Sequence, residues 1–246
     1  MIKKIFILLI LLSIVPIASS SEVVNISGLS IGFDNTSSDL SSPLQVILLL
    51  TVLSLAPALL MMLTSFTRII IVLSMMRHAL GLQQTPPNNV LIALALFLTF
   101  YTMQPVWQQV NNQALQPLKN GEITSIQAAE IASQPIKQFL LKHTREQDLA
   151  MILELSGSEM PNSVQSVDLI SLVPAFLLSE LQTAFQIGFI IFLPFLLIDL
   201  LISSTLMSVG MIMLPPMMIS LPIKLLVFVL IDGWSLITYA LVGSFF

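Results

Sequence analysis

The run from Pro174 to Trp234 constrains this chain more than any other stretch. It is almost wholly apolar, yet it carries four isolated charges, Glu180, Asp199, Lys224 and Asp232, and is interrupted by prolines at 194, 215, 216 and 222. Each charge left in hydrocarbon costs about 2.5–3.5 kcal/mol even on the lenient insertion scale, so such residues face a protein interior or a wet cavity. The Pro215-Pro216 pair ends a helix because neither ring nitrogen can donate. Backbone that turns at membrane depth is tolerated only where it is buried in protein or lines a cavity. The run is therefore more than a lipid anchor, though its apolar faces suit burial against either other helices or lipid.

The rest of the chain agrees with that class. Hydrophobic residues make up 56% and charged residues 9%, with a mean hydropathy of +0.96. Soluble domains carry roughly a quarter charged residues. The net charge of −4 is scattered, which argues against nucleic acid as a partner. Without cysteine there is neither a disulfide framework nor a thiolate metal site. His78 and His143 stand far apart with no ligand spacing, so no catalytic residue, metal or cofactor is expected.

In chain order, residues 1–20 read as a secretory signal peptide. Lys3-Lys4 precede an apolar run, and small residues follow at Ala18-Ser19-Ser20. Residues 21–42, rich in Ser, Asn and Gly, read as a loosely ordered periplasmic lead-in, and the Asn25-Ile26-Ser27 sequon there as accidental. Residues 43–110 read as a first hydrophobic helical pair. Its first helix runs from Pro43 to Leu63 with a kink at Pro57 and continues helically to the stop at Gly81 and QQTPPNN. Arg68, Arg77 and His78 beside that turn predict a cytoplasmic side, and both arginines suit either a topogenic, head-group role or pairing between subunits. The second helix spans about Asn89 to Met103, with Tyr101 and Trp107 as interface markers. Residues 111–173 form an amphipathic, extracytoplasmic helical region capped at Thr124 or Ser125. It breaks near Pro135 and after Gly157, and Lys142, Arg145, Glu146 and Asp148 form a solvated face. Residues 174–246 close the chain with two hydrophobic helices, about 181–208 and 217–241. Hydropathy alone gives four spans after the signal.

Two sets of residues in that last region stand out. Glu180 and Lys224 have the chemistry to neutralise one another across a helix interface; alternatively Glu180 sits at a helix N-terminus, where the dipole favours it. Met211, Ile212 and Met213 precede Pro215-Pro216 and Met217-Met218. Methionine is soft and repacks easily, which suits core filling or a compliant seal that parts and closes.

PAFLLSELQTAFQIGF and PPMMISLPIKLLVFVLIDGW, with FTRIIIVLSMMRHALGLQQTPPNNVLIALALFLTF upstream, resemble the FliP family of flagellar type III export-gate proteins, whose virulence counterpart is SctR. The likeness covers about residues 44–246. It implies an all-α, membrane-derived protein of kinked, proline-broken helices forming a helical oligomeric export gate, with a small amphipathic periplasmic insert. Such proteins assemble as a pentamer with FliQ and FliR at the flagellar basal body. The assembly is raised from the bacterial inner membrane toward the periplasm and passes unfolded flagellar subunits, powered by further export-apparatus proteins and the proton-motive force. The resemblance places the gate on Met211, Ile212 and Met213, with Pro215 and Pro216 breaking the helix there, and puts the buried charges Glu180, Lys224, Asp199 and Arg68 between subunits. The signal and polar lead-in favour the flagellar over the virulence branch. A self-contained secondary transporter or channel is the alternative, but it would need matching broken segments in two halves. A membrane-embedded enzyme would need a convergent set of His, Asp, Glu or Ser residues.

Overall fold

The computed structural model describes residues 24–26, 29–31, 41–157, 167–211 and 215–246. The stretch 1–20, expected to be a signal peptide, lies outside these residues, as do Ile212 and Met213. The chain divides into two compact units, 1–56 and 57–246.

The first unit contains one element the sequence reading lacked. Strands β1 (Val24–Ile26) and β2 (Leu29–Ile31) pair antiparallel, with Val24 opposite Ile31. Val24, Ile26 and Ile31 are β-branched and favour extended backbone, so part of the polar lead-in is ordered as a hairpin. Among the described residues every other regular element is helical. Helix α1 (Ser41–Leu63) runs through Pro57 and passes from one unit into the next.

Within the second unit, α1 does not continue into α2 (Phe66–Ala79). The two axes meet at 86° across Thr64-Ser65. Hydroxyls take over the hydrogen bonding that the helix loses there. Thr64 Oγ1 donates to Leu60 O at 2.5 Å, Thr67 Oγ1 donates to Met61 O at 2.7 Å, and Phe66 N donates to Thr64 Oγ1 at 3.3 Å. Local side-chain bonds of this kind compete with helix continuation. Gly81 (φ +80°) then closes α2, with Leu82 N–H on Arg77 O and Gly81 N–H on His78 O. That is a Schellman stop, and the left-handed residue it requires is cheapest as glycine.

Helix α3 (Asn88–Val110) is longer than expected. It runs through Pro105 and one π-helical turn at Asn111–Leu115 into α4 (Gln116–Lys119). Beside it lies an open apolar groove of about 870 Å³, lined by residues including Leu60, Phe97, Phe100 and Trp107.

The amphipathic region forms two helices, α5 (Ser125–His143) and α6 (Glu146–Leu155). Thr124 supplies the cap: its Oγ1 accepts from Gln127 N, and the Gln127 side chain accepts from Thr124 N. The break expected near Pro135 is absent; α5 continues through it and ends at Thr144. An interior proline costs about 3 kcal/mol. Here Ala128, Pro135, Phe139 and Leu140 form a buried face, whose packing offsets that loss.

Helix α7 (Leu169–Ser208) is continuous for 40 residues and starts well before the expected 181. Helices α8 (Pro216–Leu230) and α9 (Gly233–Gly243) replace the single helix expected over 217–241. They bend by 65° at Asp232, whose φ of 50° is left-handed. Aspartate is among the few non-glycine residues that visit that region readily.

Helices α2 and α7 run side by side in the same direction. Arg68 meets Glu180, Met75 meets Gly188, and Ala79 reaches Asp199 through Lys224. A Cβ on Gly188 would lie 2.3 Å from Met75 Sδ, so any larger residue there would push the end of the Met75 side chain aside. Ile69, Val72, Leu73 and Met76 of α2 are buried, with Leu172, Phe176 and Ala184 of α7. Among the described residues, by length and composition, two helices, 88–119 and 169–208, can cross a membrane, or up to four if each bent pair is one span.

Candidate functional site: buried ion pairs and the proline break

Glu180 is fully buried within α7, so it is not at a helix N-terminus, and Lys224 is not its partner. Arg68 reaches it from the first turn of α2. Nε donates to Oε2 at 2.9 Å and Nη2 donates to Oε1. Nη1 donates to Ser244 O and Oγ at 3.2 and 3.0 Å, and the guanidinium lies 4.0 Å over the Phe245 ring. Lys142 and His143 add contacts to Phe245 O at 3.5 and 3.3 Å. Burial holds the His143 imidazole below its usual pKa, and the nearby Arg68 charge acts in the same direction.

Lys224 pairs instead with Asp199, Nζ to Oδ2 at 2.5 Å, and donates to Ala79 O at 3.2 Å. The second contact satisfies a carbonyl left over at the end of α2. Both pairs form within one chain, whereas the resemblance implied charges lying between subunits.

A third pair escaped the sequence reading. Asp148 is buried, not solvated. Arg145 donates to it through Nε and Nη2 at 2.8 and 2.9 Å, and Ser179 Oγ donates to Oδ2 at 2.6 Å. Ser179 Oγ also accepts from Arg145 N at 2.9 Å. The Arg145 guanidinium holds the Asp148 carboxyl below the usual carboxylate range, and Asp148 in turn raises the arginine. Ser179 and Glu180 are neighbours, so one turn of α7 locks α6 on one side and α2 on the other. The spacing Arg145–Asp148 was readable as an i,i+3 pair on a helix. Its burial against Ser179 had no sequence signal.

The other arginine near the first turn is placed differently. Arg77 is buried, and its Nη1 donates to Pro86 O at 3.1 Å and to Asn88 Oδ1 at 2.7 Å. His78 is exposed, with Nδ1 on Ser74 O at 2.7 Å.

At the break before Pro215-Pro216, Gly210 (φ +77°) stops α7, with Met211 N–H on Leu206 O and Gly210 N–H on Met207 O. Pro215 is extended and precedes α8, whose first residue is Pro216. That position suits proline, which has no N–H to satisfy. Met211, Met217 and Met218 are exposed. Among the described residues no three His, Cys, Asp or Glu side chains converge as a metal site would require.

Long apolar helices, bent at defined points and held together by buried ion pairs, define a predominantly helical protein with helices able to cross a membrane. The chain belongs to the FliP family, whose model matches residues 49–241. It is 53% identical over 207 residues to the flagellar biosynthetic protein FliP of Bacillus subtilis, covering 84% of this chain and 94% of that one. The same-named protein of Cereibacter sphaeroides is 52% identical over 202 residues, 82% of this chain and 67% of that one. That of Borreliella burgdorferi is 41% identical over 235 residues, 93% and 92% of the two chains.

Proposed function

We propose that this chain is a core subunit of the flagellar type III protein export gate. In the bacterial inner membrane, at the base of the flagellum, several copies, five by the family resemblance, join FliQ and FliR. Together they form the channel through which unfolded flagellar subunits leave the cytoplasm, and the chain performs no chemistry of its own.

The observation that carries the reading is the break between α7 and α8. One apolar helix stops at Gly210 and the next starts at Pro216, and the flanking Met211, Met217 and Met218 side chains are uncovered by their own chain. Copies arranged about an axis would bring these thioethers together as a deformable seal. The ion pairs support the same arrangement. With every charge on α2 and α7 engaged inside the chain or at the Arg77 turn, the outer faces of α7, such as Phe185, Phe189 and Leu197, are apolar and free to meet neighbours.

Met211→Cys tests this in cells carrying the whole export apparatus. Oxidation should link copies of the chain to one another, and a stalled export substrate should reduce the yield. Cysteines that link no second copy, or a purified chain that alone transports a small solute in liposomes, would favour the transporter reading.

A further inference from the structure

Residues 244–246 follow α9 and are held by side chains from two other helices. Arg68 of α2 donates to Ser244 O and Oγ and lies over the Phe245 ring, while Lys142 and His143 of α5 contact Phe245 O. The Phe245 ring is buried, with its centroid 5.3 Å from that of His143 and 6.5 Å from that of Phe139. Phe246 beyond it is exposed. The segment is a short strap whose aromatic side chain covers His143 and whose oxygens meet three basic side chains.

Of those three, only histidine changes charge near neutral pH. His143 Nδ1 faces Phe139 O at 2.9 Å and Nε2 faces Phe245 O at 3.3 Å. A neutral imidazole has one N–H and can serve only one of these carbonyls. Protonation adds the second donor, but it also places a third positive charge beneath Phe245. The charges acting on the ring are Arg68 of α2 and Lys142 of its own helix. Glu180 of α7 is taken up by Arg68, and Asp148 of α6 by Arg145 and Ser179. Among the described residues no carboxylate is in ion-pair contact with His143. Burial and the two cations therefore outweigh the gain of one long hydrogen bond.

We infer that residues 244–246 are an acid-released strap: protonation of His143 expels Phe245 from its seat against α2 and α5. The strap is the part that yields because the other walls are fixed. Phe139 stands one turn earlier on the same helix, and Arg68 is held by both oxygens of Glu180. The strap lies beyond the end of α9 and belongs to no regular element, so lifting it lets water reach the imidazolium without breaking a helix. The seated state disfavours the proton, so the strap is fully closed above the ordinary histidine value of 6.5 and loosens as pH falls below it.

A spin label on Phe246→Cys reads this directly, because the chain has no cysteine and Phe246 is exposed. The full chain is purified in detergent, and its electron paramagnetic resonance spectrum is recorded at about pH 8 and about pH 5, on either side of the histidine range. The label should be slow at the higher pH, and its mobile fraction should rise severalfold at the lower. With His143→Gln, which keeps a donor but never charges, the mobile fraction should stay low at both. Lys142→Gln, at an exposed position, removes one opposing cation and should shrink the acid step; it carries the test if the histidine variant does not fold. A label on Gln109→Cys in α3 should report no change, which separates release of the strap from general loosening. A Phe246 label equally mobile at both pH values, a full acid step in His143→Gln or Lys142→Gln, or an equal step at Gln109 would overturn the assignment.

Discussion

The Arg68–Glu180 and Lys224–Asp199 pairs hold opposite ends of the same helix and differ in what surrounds them. Arg68 and Glu180 are 4% and 0% exposed, and the guanidinium has Ser244 and Phe245 as further partners. Lys224 is 5% exposed but Asp199 is 38% exposed, and Asp199 Oδ1 has no partner. One pair has every carboxylate oxygen engaged within the chain, while the other has a partly exposed aspartate whose Oδ1 is buried and unbonded. The fully engaged pair is a structural clasp whose loss cannot be repaired by water. The second lies nearer the end of α7 that leads to the break between Gly210 and Pro216.

The sharpest way to break this contrast is to remove one member of each pair. Glu180→Ala strands Arg68 in the core and should cost about 3–5 kcal/mol, read as loss of folded protein or a large drop in thermal midpoint. Arg68→Met with Glu180→Leu should recover much of it. Next comes the crossing between the two clasps. Gly188→Ala puts a methyl into Met75 and should cost about 1–3 kcal/mol, relieved by Met75→Ala. Lys224→Ala should cost less than Glu180→Ala, about 1–2 kcal/mol, between the limits for buried and exposed pairs. Equal losses at Glu180 and Lys224 would erase the distinction.

The smallest effects should appear in pH titrations of the α5–α6 pair. Asp148 has a lowered pKa, so its contribution is complete above the ordinary carboxylate range and fades as pH falls through its folded value. Asp148→Asn should flatten that acid limb. His143 is also lowered, so the fold loses stability as pH drops below the ordinary histidine range. His143→Gln should remove only this milder slope.

Much of the architecture was legible from the chain. Helical class, the stop at Gly81, the Thr124 cap and the restart at Pro216 all follow from local chemistry that needs no partner. Glu180 and Lys224 could be recognised as residues that must be buried, because an isolated charge in an apolar run has few alternatives. Their partners could not be read. Arg68 is 112 residues from Glu180, and only the parallel course of α2 and α7 brings them together. Hydropathy carries no information on which helices run side by side or in which direction. Pro135 misled for the opposite reason: a strong local breaker was overruled by a face packed through Phe139 and Leu140. Asp148 looked solvated because its cover, Ser179, comes from a distant helix.

The central claim is that the chain satisfies these buried charges by itself and uses its remaining apolar faces and the methionine-flanked break to assemble around a passage. Native mass spectrometry of the complex, purified after co-expression with its export-apparatus neighbours, addresses it most directly. The account predicts several copies of this chain, five by the family resemblance, in one particle, and the same copy number for Lys224→Ala. A wild-type chain that stays monomeric beside its neighbours would contradict it.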